Sequence, residues 1–284
     1  MMTIATNPVV QDLIRRALEE DVGAGDVTTL ALVPENLLGK AHILSRGKYV
    51  VAGLEVAAAV FGQVNPAIRC RAEVRDGESV VPDQEILTIE GPVRGILTGE
   101  RTALNFVQRM TGIATRTRQF VEKVSRHGVK ILDTRKTTPT LRILEKYAVA
   151  CGGGINHRMG LFDMVLIKDN HRRLWQAAGV PNLKGAVEAT RARFPGVPIE
   201  VEVESEAELR DALQARPEWV MLDNMPVALM RRCVEICAGS CRLEASGGVT
   251  LETVEAMAAT GVDAISIGGL THSAPAADLS LELD

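Results

Sequence analysis

Aromatic side chains are scarce in this chain, with two Trp, two Tyr and five Phe among 284 residues, or 3%. A core must therefore be built from aliphatic residues. At 46% hydrophobic and 24% charged, the composition is that of a globular protein and argues against disorder. Excess positive charge is also lacking, since 32 Lys and Arg stand against 36 Asp and Glu for a net charge of -4. That excludes a general affinity for nucleic acid, which depends on neutralising phosphates with a basic surface. No apolar run approaches the roughly 20 residues of a membrane-spanning helix. The opening MMTIATNPVVQDLIRRALEED lacks the basic start, apolar stretch and small-residue cleavage site of a secretory signal, so a cytoplasmic protein without a membrane partner is expected. Cysteine is sparse and odd in number, at 70, 151, 233, 237 and 241. Cys233, Cys237 and Cys241 fall on one helical face, but with no His or Asp beside them they read as small core residues rather than a zinc site.

The length allows two domains or one large α/β domain. Residues 8–20 place Val9, Val10, Leu13, Ile14 and Ala17 at helical spacing, with Asn7 as N-cap and Pro8 at the first helical position. Strands are expected over 38–51 and 67–75, separated by the Ala-rich helix GLEVAAAVFGQV, and 76–91 has the punctuation of short strands and tight turns. The tip of that last segment, Pro82-Asp83-Gln84, has no lysine to acylate, so it is a structural β-element and not a lipoyl-type carrier. A long helical stretch covers 93–127, with an interruption expected near Gly112. Leu97, Arg101, Leu104 and Gln108 share one of its stripes, where Arg101 either covers apolar surface with its stem or points at an anion.

After Gly128 apolar runs end at Asp133, Lys168, Val203, Asp223, Ala245 and Ile267. Helical patterns at 141–150, 184–194, 206–215, 226–237 and 251–259 fill most of the gaps. A capping box, Ser205 with Glu208, opens one of these helices, and Pro226 starts another. Strands alternating with helices imply parallel pairing with right-handed crossovers. With at least six such units and no dinucleotide fingerprint after the first strand, a parallel α/β barrel is favoured over an open doubly wound sheet. In a barrel, chemistry belongs at the C-terminal ends of the strands.

Charge collects there. Arg135 and Lys136 follow one apolar run and Lys168 another, with His157, Arg158 and His171 nearby. In IEVEVES (199–205), alternation sets Ile199, Val201 and Val203 on one face and Glu200, Glu202 and Glu204 on the other. Carboxylates on an inward face must meet cations, metal or water, and Asp223 ends the next strand. The cations exceed what Glu202 and Asp223 need, which implies a substrate with several negative charges, gripped bidentately by Arg. Two Gly-rich turns, Ser246-Gly247-Gly248 and Gly268-Gly269, offer backbone N–H groups and following helix N-termini to a phosphate. The residues alone thus give a barrel enzyme for a phosphorylated, multiply anionic substrate with a divalent cation. They do not give the reaction.

The motifs EEDVGAGDVTT, GERTALN, TGIAT, DTRKTTP, GGGINHR, LIKDNH, VEVE, LDN, SGG and THS, in this order, resemble the quinolinate phosphoribosyltransferase family, also known as nicotinate-nucleotide pyrophosphorylase (carboxylating). One departure is Thr140 where the family usually has Gly in TTPGLR; another is Ile155 at a variable place before NHR. The resemblance implies an N-terminal α/β sandwich domain over 1–114, completed by the C-terminal tail 271–284, beside an incomplete, TIM-like parallel α/β barrel over 115–270. It implies that quinolinate and phosphoribosyl pyrophosphate give nicotinate mononucleotide, pyrophosphate and carbon dioxide, with Mg2+ as cofactor. Quinolinate carboxylates would be bound by Arg135, His157, Arg158 and Lys168. Arg101 would enter from the partner subunit of a homodimer, with assembly beyond the dimer left open. Lys136, Glu202 and Asp223 would be the catalytic residues around the phosphoribosyl group, Glu202 and Asp223 holding the metal. Ser246, Gly247 and Gly268, with Gly248 and Gly269 beside them, would take the 5'-phosphate. Three other readings stay open: a phosphoribosyltransferase for another heterocycle, a Schiff-base aldolase using Lys136 or Lys168, and a non-catalytic binding protein.

Overall fold

The computed structural model describes residues 3–177, 179 and 183–284. In chain order, the elements begin with helices α1 (Pro8–Val22) and α2 (Val27–Leu32), strands β1 (Leu38–Ser45) and β2 (Tyr49–Val50), helix α3 (Leu54–Val64), and strands β3 (Arg69–Ala72), β4 (Ser79–Val80) and β5 (Glu85–Pro92). Then come α4 (Val93–Val124), β6 (Lys130–Leu132), α5 (Arg142–Cys151), β7 (Val165–Ile167), α6 (Asp169–Ala177), α7 (Leu183–Arg193), β8 (Ile199–Val203) and α8 (Glu206–Ala215). The chain ends with β9 (Trp219–Asp223), α9 (Val227–Cys237), β10 (Arg242–Ser246), α10 (Val254–Ala258), β11 (Ala264–Ser266), α11 (Gly269–His272) and β12 (Leu279–Leu283). No described helix is long and apolar enough to cross a membrane. The chain divides into two compact units. One comprises Met1–Arg118, Thr137–Gly153 and Leu270–Asp284; the other comprises Gln119–Lys136 and Gly154–Gly269.

In the first unit an antiparallel sheet runs in the order β12-β1-β5-β3. The alternation of β1 puts Ala41, Ile43 and Ser45 in the core, with His42 and Leu44 less buried. The C-terminal strand β12 pairs with β1, Ala41 opposite Leu283, so the sheet draws on both ends of the sequence. Asn7 caps α1 by accepting from the N–H of Val9, and Val10 and Ile14, one turn apart, are fully buried. Gly53, which opens α3, has no capping side chain of its own. The Asp76 carboxylate stands in, accepting from the N–H groups of Gly53 at 2.8 Å and Leu54 at 3.2 Å, and from the Tyr147 hydroxyl at 2.9 Å.

The second unit is a six-stranded parallel sheet ordered β6-β11-β10-β9-β8-β7. Ile155 adds a parallel bridge to Leu132 on the outer side of β6. Among the described residues no pairing joins that segment to β7, so the barrel-like sheet is incomplete. All five residues of β8 are buried, as a strand covered on both faces requires. The capping box opening α8 forms: Ser205 accepts from the Glu208 N–H, and the Glu208 carboxylate reaches back to the N–H of Glu204, one residue before the cap.

The six apolar runs of the second unit all become strands, each ending within about one residue of its expected place. Three local expectations are corrected. The stretch 38–51 is not one strand: Arg46 to Lys48 turn the chain between β1 and β2, which lie in different sheets. Helix α6 follows β7 where no helical pattern was anticipated; its residues DNHRRLWQA are mostly polar, with none buried. The long helix α4 is not interrupted at Gly112. A Cβ on Gly112 would lie 1.9 Å from the carbonyl oxygen of Pro275, so glycine is there to let another backbone approach.

Candidate active site

The C-terminal ends of the parallel strands surround a cavity of about 430 Å³. Thr134, Arg135 and Lys136 come to it from the loop after β6; His157 and Arg158 follow the Ile155 bridge, and Lys168 follows β7. Glu202 arrives from β8, Met221 and Asp223 from β9 with Asn224 after it, Glu244 and Ser246 from β10 with Gly247 and Gly248 beyond, and Ser266 from β11. Every strand therefore contributes at the end where barrels place chemistry.

Register explains the inward set. Glu202 lies opposite Met221, and Met221 opposite Glu244, so these three share one face of the sheet. Glu202 is 7% exposed and forms an ion pair with Lys168. Glu200, fully buried, accepts from His157 Nε2 at 3.0 Å, and Glu244, 1% exposed, lies 3.4 Å from the same nitrogen. Asp133, also fully buried, accepts from the backbone N–H of His157 at 2.8 Å. The Arg158 guanidinium donates to the Met164 carbonyl at 3.2 Å; burial, and then the charge of Arg135, lower its pKa without threatening its cationic state.

Burial alone would lower the pKa of His157, yet the hydrogen bonds and charges of Glu200 and Glu244 push it up to about 10. A second ring proton, however, would have to sit on Nδ1, and that atom already accepts from the Arg158 backbone N–H at 2.7 Å. Two buried carboxylates side by side still call for a proton. It is best accommodated on Glu200, where burial and then the charge of Glu244 raise the carboxyl to about 7.

Of the residues singled out in the sequence, Arg135, Lys136, His157, Arg158, Lys168, Glu202, Asp223, Ser246, Gly247 and Gly248 all line this cavity. The others do not. Arg101 is exposed on α4. His171 is exposed in the first turn of α6, its Nδ1 accepting from the Lys168 N–H at 3.0 Å. Gly268 and Gly269 are half-buried behind β11. Glu204 lies beyond the end of β8 and is exposed, so only two of the three alternating glutamates turn inward. The helices after the glycine turns, α10 and α11, have five and four residues, which leaves little dipole for a phosphate. Phosphate-binding capacity rests instead on the Ser246–Gly248 turn, where Gly247 (φ 96°) and Gly248 (φ 58°) take left-handed backbone. A Cβ on Gly247 would meet Asn224 Oδ1 at 2.1 Å.

Sequence reasoning missed Thr134, Asn224, Glu244 and Ser266. Glu244 was within reach, because in Arg242–Ser246 the same alternation that exposed the glutamates of β8 pairs Glu244 with Ser246 on the inner face. Its presence changes the charge argument. With Glu244 counted, three carboxylates line the cavity against the four cations Arg135, Lys136, Arg158 and Lys168, and what marks the cavity is separation of sign. Cations come from the β6-to-β7 side and carboxylates from β8, β9 and β10.

Fold and cavity together define a barrel-type enzyme whose site is cationic on one side and acidic on the other. Models of the quinolinate phosphoribosyl transferase C-terminal domain match residues 113–282, and those of the N-terminal domain residues 26–111. The chain belongs to the quinolinate phosphoribosyl transferase family. It is 44% identical over 281 residues to the nicotinate-nucleotide pyrophosphorylase (carboxylating) of Mycobacterium leprae, covering 96% of each chain. To a quinolinate phosphoribosyltransferase (decarboxylating) of Nicotiana tabacum it is 40% identical, with 97% of this chain and 82% of that one covered. Among solved structures, the nicotinate-nucleotide pyrophosphorylase of Francisella tularensis superposes with a TM-score of 0.91 at 38% identity, over 97% of this chain and 96% of that one.

Proposed function

We propose that this protein transfers the phosphoribosyl group of phosphoribosyl pyrophosphate to quinolinate and releases carbon dioxide, forming nicotinate mononucleotide for NAD synthesis. The observation that carries the reading is the split cavity, in which Arg135, Lys136, Arg158 and Lys168 face Glu202 and Asp223 at the strand ends of a member of this family. A doubly acidic ring suits the cationic side. A sugar that becomes positively charged as its leaving group departs suits the acidic side.

Arg135, Arg158 and Lys168 hold the two carboxylates so that the ring nitrogen faces the anomeric carbon, a gain of orientation rather than of acid–base chemistry. Ser246, Gly247 and Gly248 take the 5'-phosphate through hydroxyl and backbone N–H groups. As the bond from the anomeric carbon to pyrophosphate breaks, the carboxylates of Glu202 and Asp223 stabilise the positive charge on the ribose, while Lys136 favours the negative charge gathering on the leaving group. The quinolinate nitrogen closes the new bond with its lone pair and becomes cationic. It then accepts the electron pair of the adjacent carbon–carboxylate bond, carbon dioxide departs, and a proton takes its place.

Magnesium is held in such sites by one or two carboxylates together with substrate phosphates and water. Glu202 and Asp223, on neighbouring strands and both at the cavity, fit that requirement. Bound there, Mg2+ would neutralise charge on the pyrophosphate. Arg101, exposed on α4, would complete the quinolinate site of a second copy in a homodimer, and the natural setting is the cytoplasm.

The test is an assay of purified protein with quinolinate, phosphoribosyl pyrophosphate and Mg2+. Nicotinate mononucleotide, pyrophosphate and carbon dioxide should form in equal amounts, with nicotinic acid a poor substitute for quinolinate. Turnover of nicotinic acid at the same rate, or none with quinolinate, would sink the reading.

A further inference from the structure

Two groups with different tasks stand on neighbouring strands at the mouth of the cavity. Asp223 ends β9, and Ser246, opposite it in the register, ends β10 and opens the Ser246–Gly248 turn. In the proposed reaction one sugar phosphate meets both at once, its ring beside the carboxylate and its phosphate in the turn. The spacing of the two groups therefore has to be set before the ligand arrives. Each is the last residue of its strand, so regular pairing between β9 and β10 stops at this level.

Asn224 touches both. Its backbone N–H donates to the Ser246 carbonyl at 2.9 Å, carrying the link between the two strands one residue past the end of β9. Its carboxamide Nδ2 donates to Asp223 Oδ2 at 2.8 Å. Turned over, the amide would set its own oxygen against a carboxylate oxygen, so the donor has only one sensible direction. The opposite end of the carboxamide, Oδ1, lies 2.1 Å from where a Cβ on Gly247 would stand, which seats the side chain against the backbone of the phosphate turn. Residue 224 has left-handed backbone, φ 52°, which Asn tolerates well. Glycine would suit that backbone equally, so conformation alone does not account for a carboxamide here.

We propose that Asn224 is a positioning residue for phosphoribosyl pyrophosphate, holding Asp223 Oδ2 so that Oδ1 is left for the ribose or its metal, and fixing that carboxylate relative to the Ser246–Gly248 turn. The proposal rests on the reading of the cavity as a phosphoribosyl-transfer site and adds to it a residue that serves one of the two substrates. A neutral donor suits the place. A lysine or arginine would cancel the negative charge that the ribose needs, and an aspartate would set a second carboxylate against the first. The quinolinate cations Arg135, Arg158 and Lys168 enter from the β6-to-β7 side, so their geometry does not pass through Asn224.

The test uses Asn224→Gly, which keeps the left-handed backbone and its N–H and removes only the carboxamide. Phosphoribosyl pyrophosphate is titrated calorimetrically into the full-length protein with Mg2+ and with phthalate, a dicarboxylate that has no ring nitrogen to react, filling the cationic side. Its affinity should fall about tenfold in the variant, the loss of one charged hydrogen bond, while quinolinate titrated alone binds within about twofold of wild type. Unchanged phosphoribosyl pyrophosphate affinity, or an equal loss for both ligands, would refute the positioning role. A second measurement needs no substrate. In 1H–15N NMR of the unliganded protein, the Asn224 carboxamide signals, assigned by their loss in Asn224→Gly, should include one proton shifted downfield that returns to an ordinary position in Asp223→Ala. No downfield proton, or one indifferent to Asp223→Ala, would overturn the proposed contact. If wild type binds neither phosphoribosyl pyrophosphate nor quinolinate, the reading of the cavity fails and the proposal with it; wild-type binding with an unaffected Asn224→Gly overturns the proposal alone.

Discussion

Replacing Gly112 by Ala sets two opposing effects against each other. In the middle of a helix, Ala is favoured over Gly by about 1 kcal/mol, and α4 runs without a break through residue 112. The added Cβ, though, would stand 1.9 Å from the Pro275 carbonyl oxygen, 3.0 Å from its carbon and 3.2 Å from the Cα of Ala276. These are backbone atoms, so no rotamer change relieves the clash, and the 274–277 segment would have to retreat by about an ångström. Retreat strains the Ala277 N–H bond to the Gln108 carbonyl (2.9 Å) and the Arg109 Nη1 bond to the Ala274 carbonyl (3.0 Å), each worth about 1 kcal/mol or more. Overpacking of this kind costs roughly 1–3 kcal/mol. Weighing these against the helix gain, Gly112→Ala should destabilise the protein by about 2–3 kcal/mol. Urea unfolding followed by far-UV circular dichroism measures it, with the midpoint falling and the slope unchanged. A variant as stable as wild type would mean that helix propensity governs this position and that the close approach of the C-terminal segment is not what requires glycine.

Arg158→Leu removes a half-buried guanidinium from the cationic side of the cavity. With a charged hydrogen bond worth about 1.5–3 kcal/mol, quinolinate should bind roughly ten- to a hundredfold more weakly by calorimetry, with phosphoribosyl pyrophosphate affinity unaffected. If Arg101 serves a neighbouring copy, Arg101→Ala and Arg135→Ala proteins, each inactive alone, should regain activity when mixed and allowed to exchange subunits. The ceiling is about a quarter of wild type, since half the dimers are mixed and each restores one site; no recovery in demonstrably mixed dimers would exclude sharing. Thr140 holds φ 69° although it is β-branched, a conformation costing about 1–2 kcal/mol for such a residue. Thr140→Gly should therefore raise the unfolding free energy by roughly 1 kcal/mol after glycine's own entropy cost; a loss of stability would contradict the backbone assignment.

Much of the second unit was legible because its strands are short apolar runs ended by charge, and covered parallel strands allow little else. Lys168, Glu202 and Asp223 could be placed at strand ends from that rhythm alone. Residues outside the rhythm were harder. Asn224 is positioned by left-handed backbone, φ 52°, which no apolar pattern announces. Glu244 hid among small residues, and its acidity carried no weight until its register opposite Met221 brought it to the same face as Glu202. Gly112 misled for a different reason: helix propensity is local, whereas the neighbour that demands glycine lies more than 160 residues further along the chain. The departure at Thr140 was visible in the motif, and its meaning became clear only with φ in hand. The pairing of β12 with β1 likewise joins the two ends of the sequence, a contact that periodicity cannot reveal.

The placement of the reaction at the mouth of the parallel strands is tested most directly by a crystal structure with quinolinate bound. Density for the ring should lie between Arg135, Arg158 and Lys168, its carboxylates on those cations and its nitrogen turned toward Glu202 and Asp223. Quinolinate bound elsewhere, or with its carboxylates among the glutamates, would contradict the account.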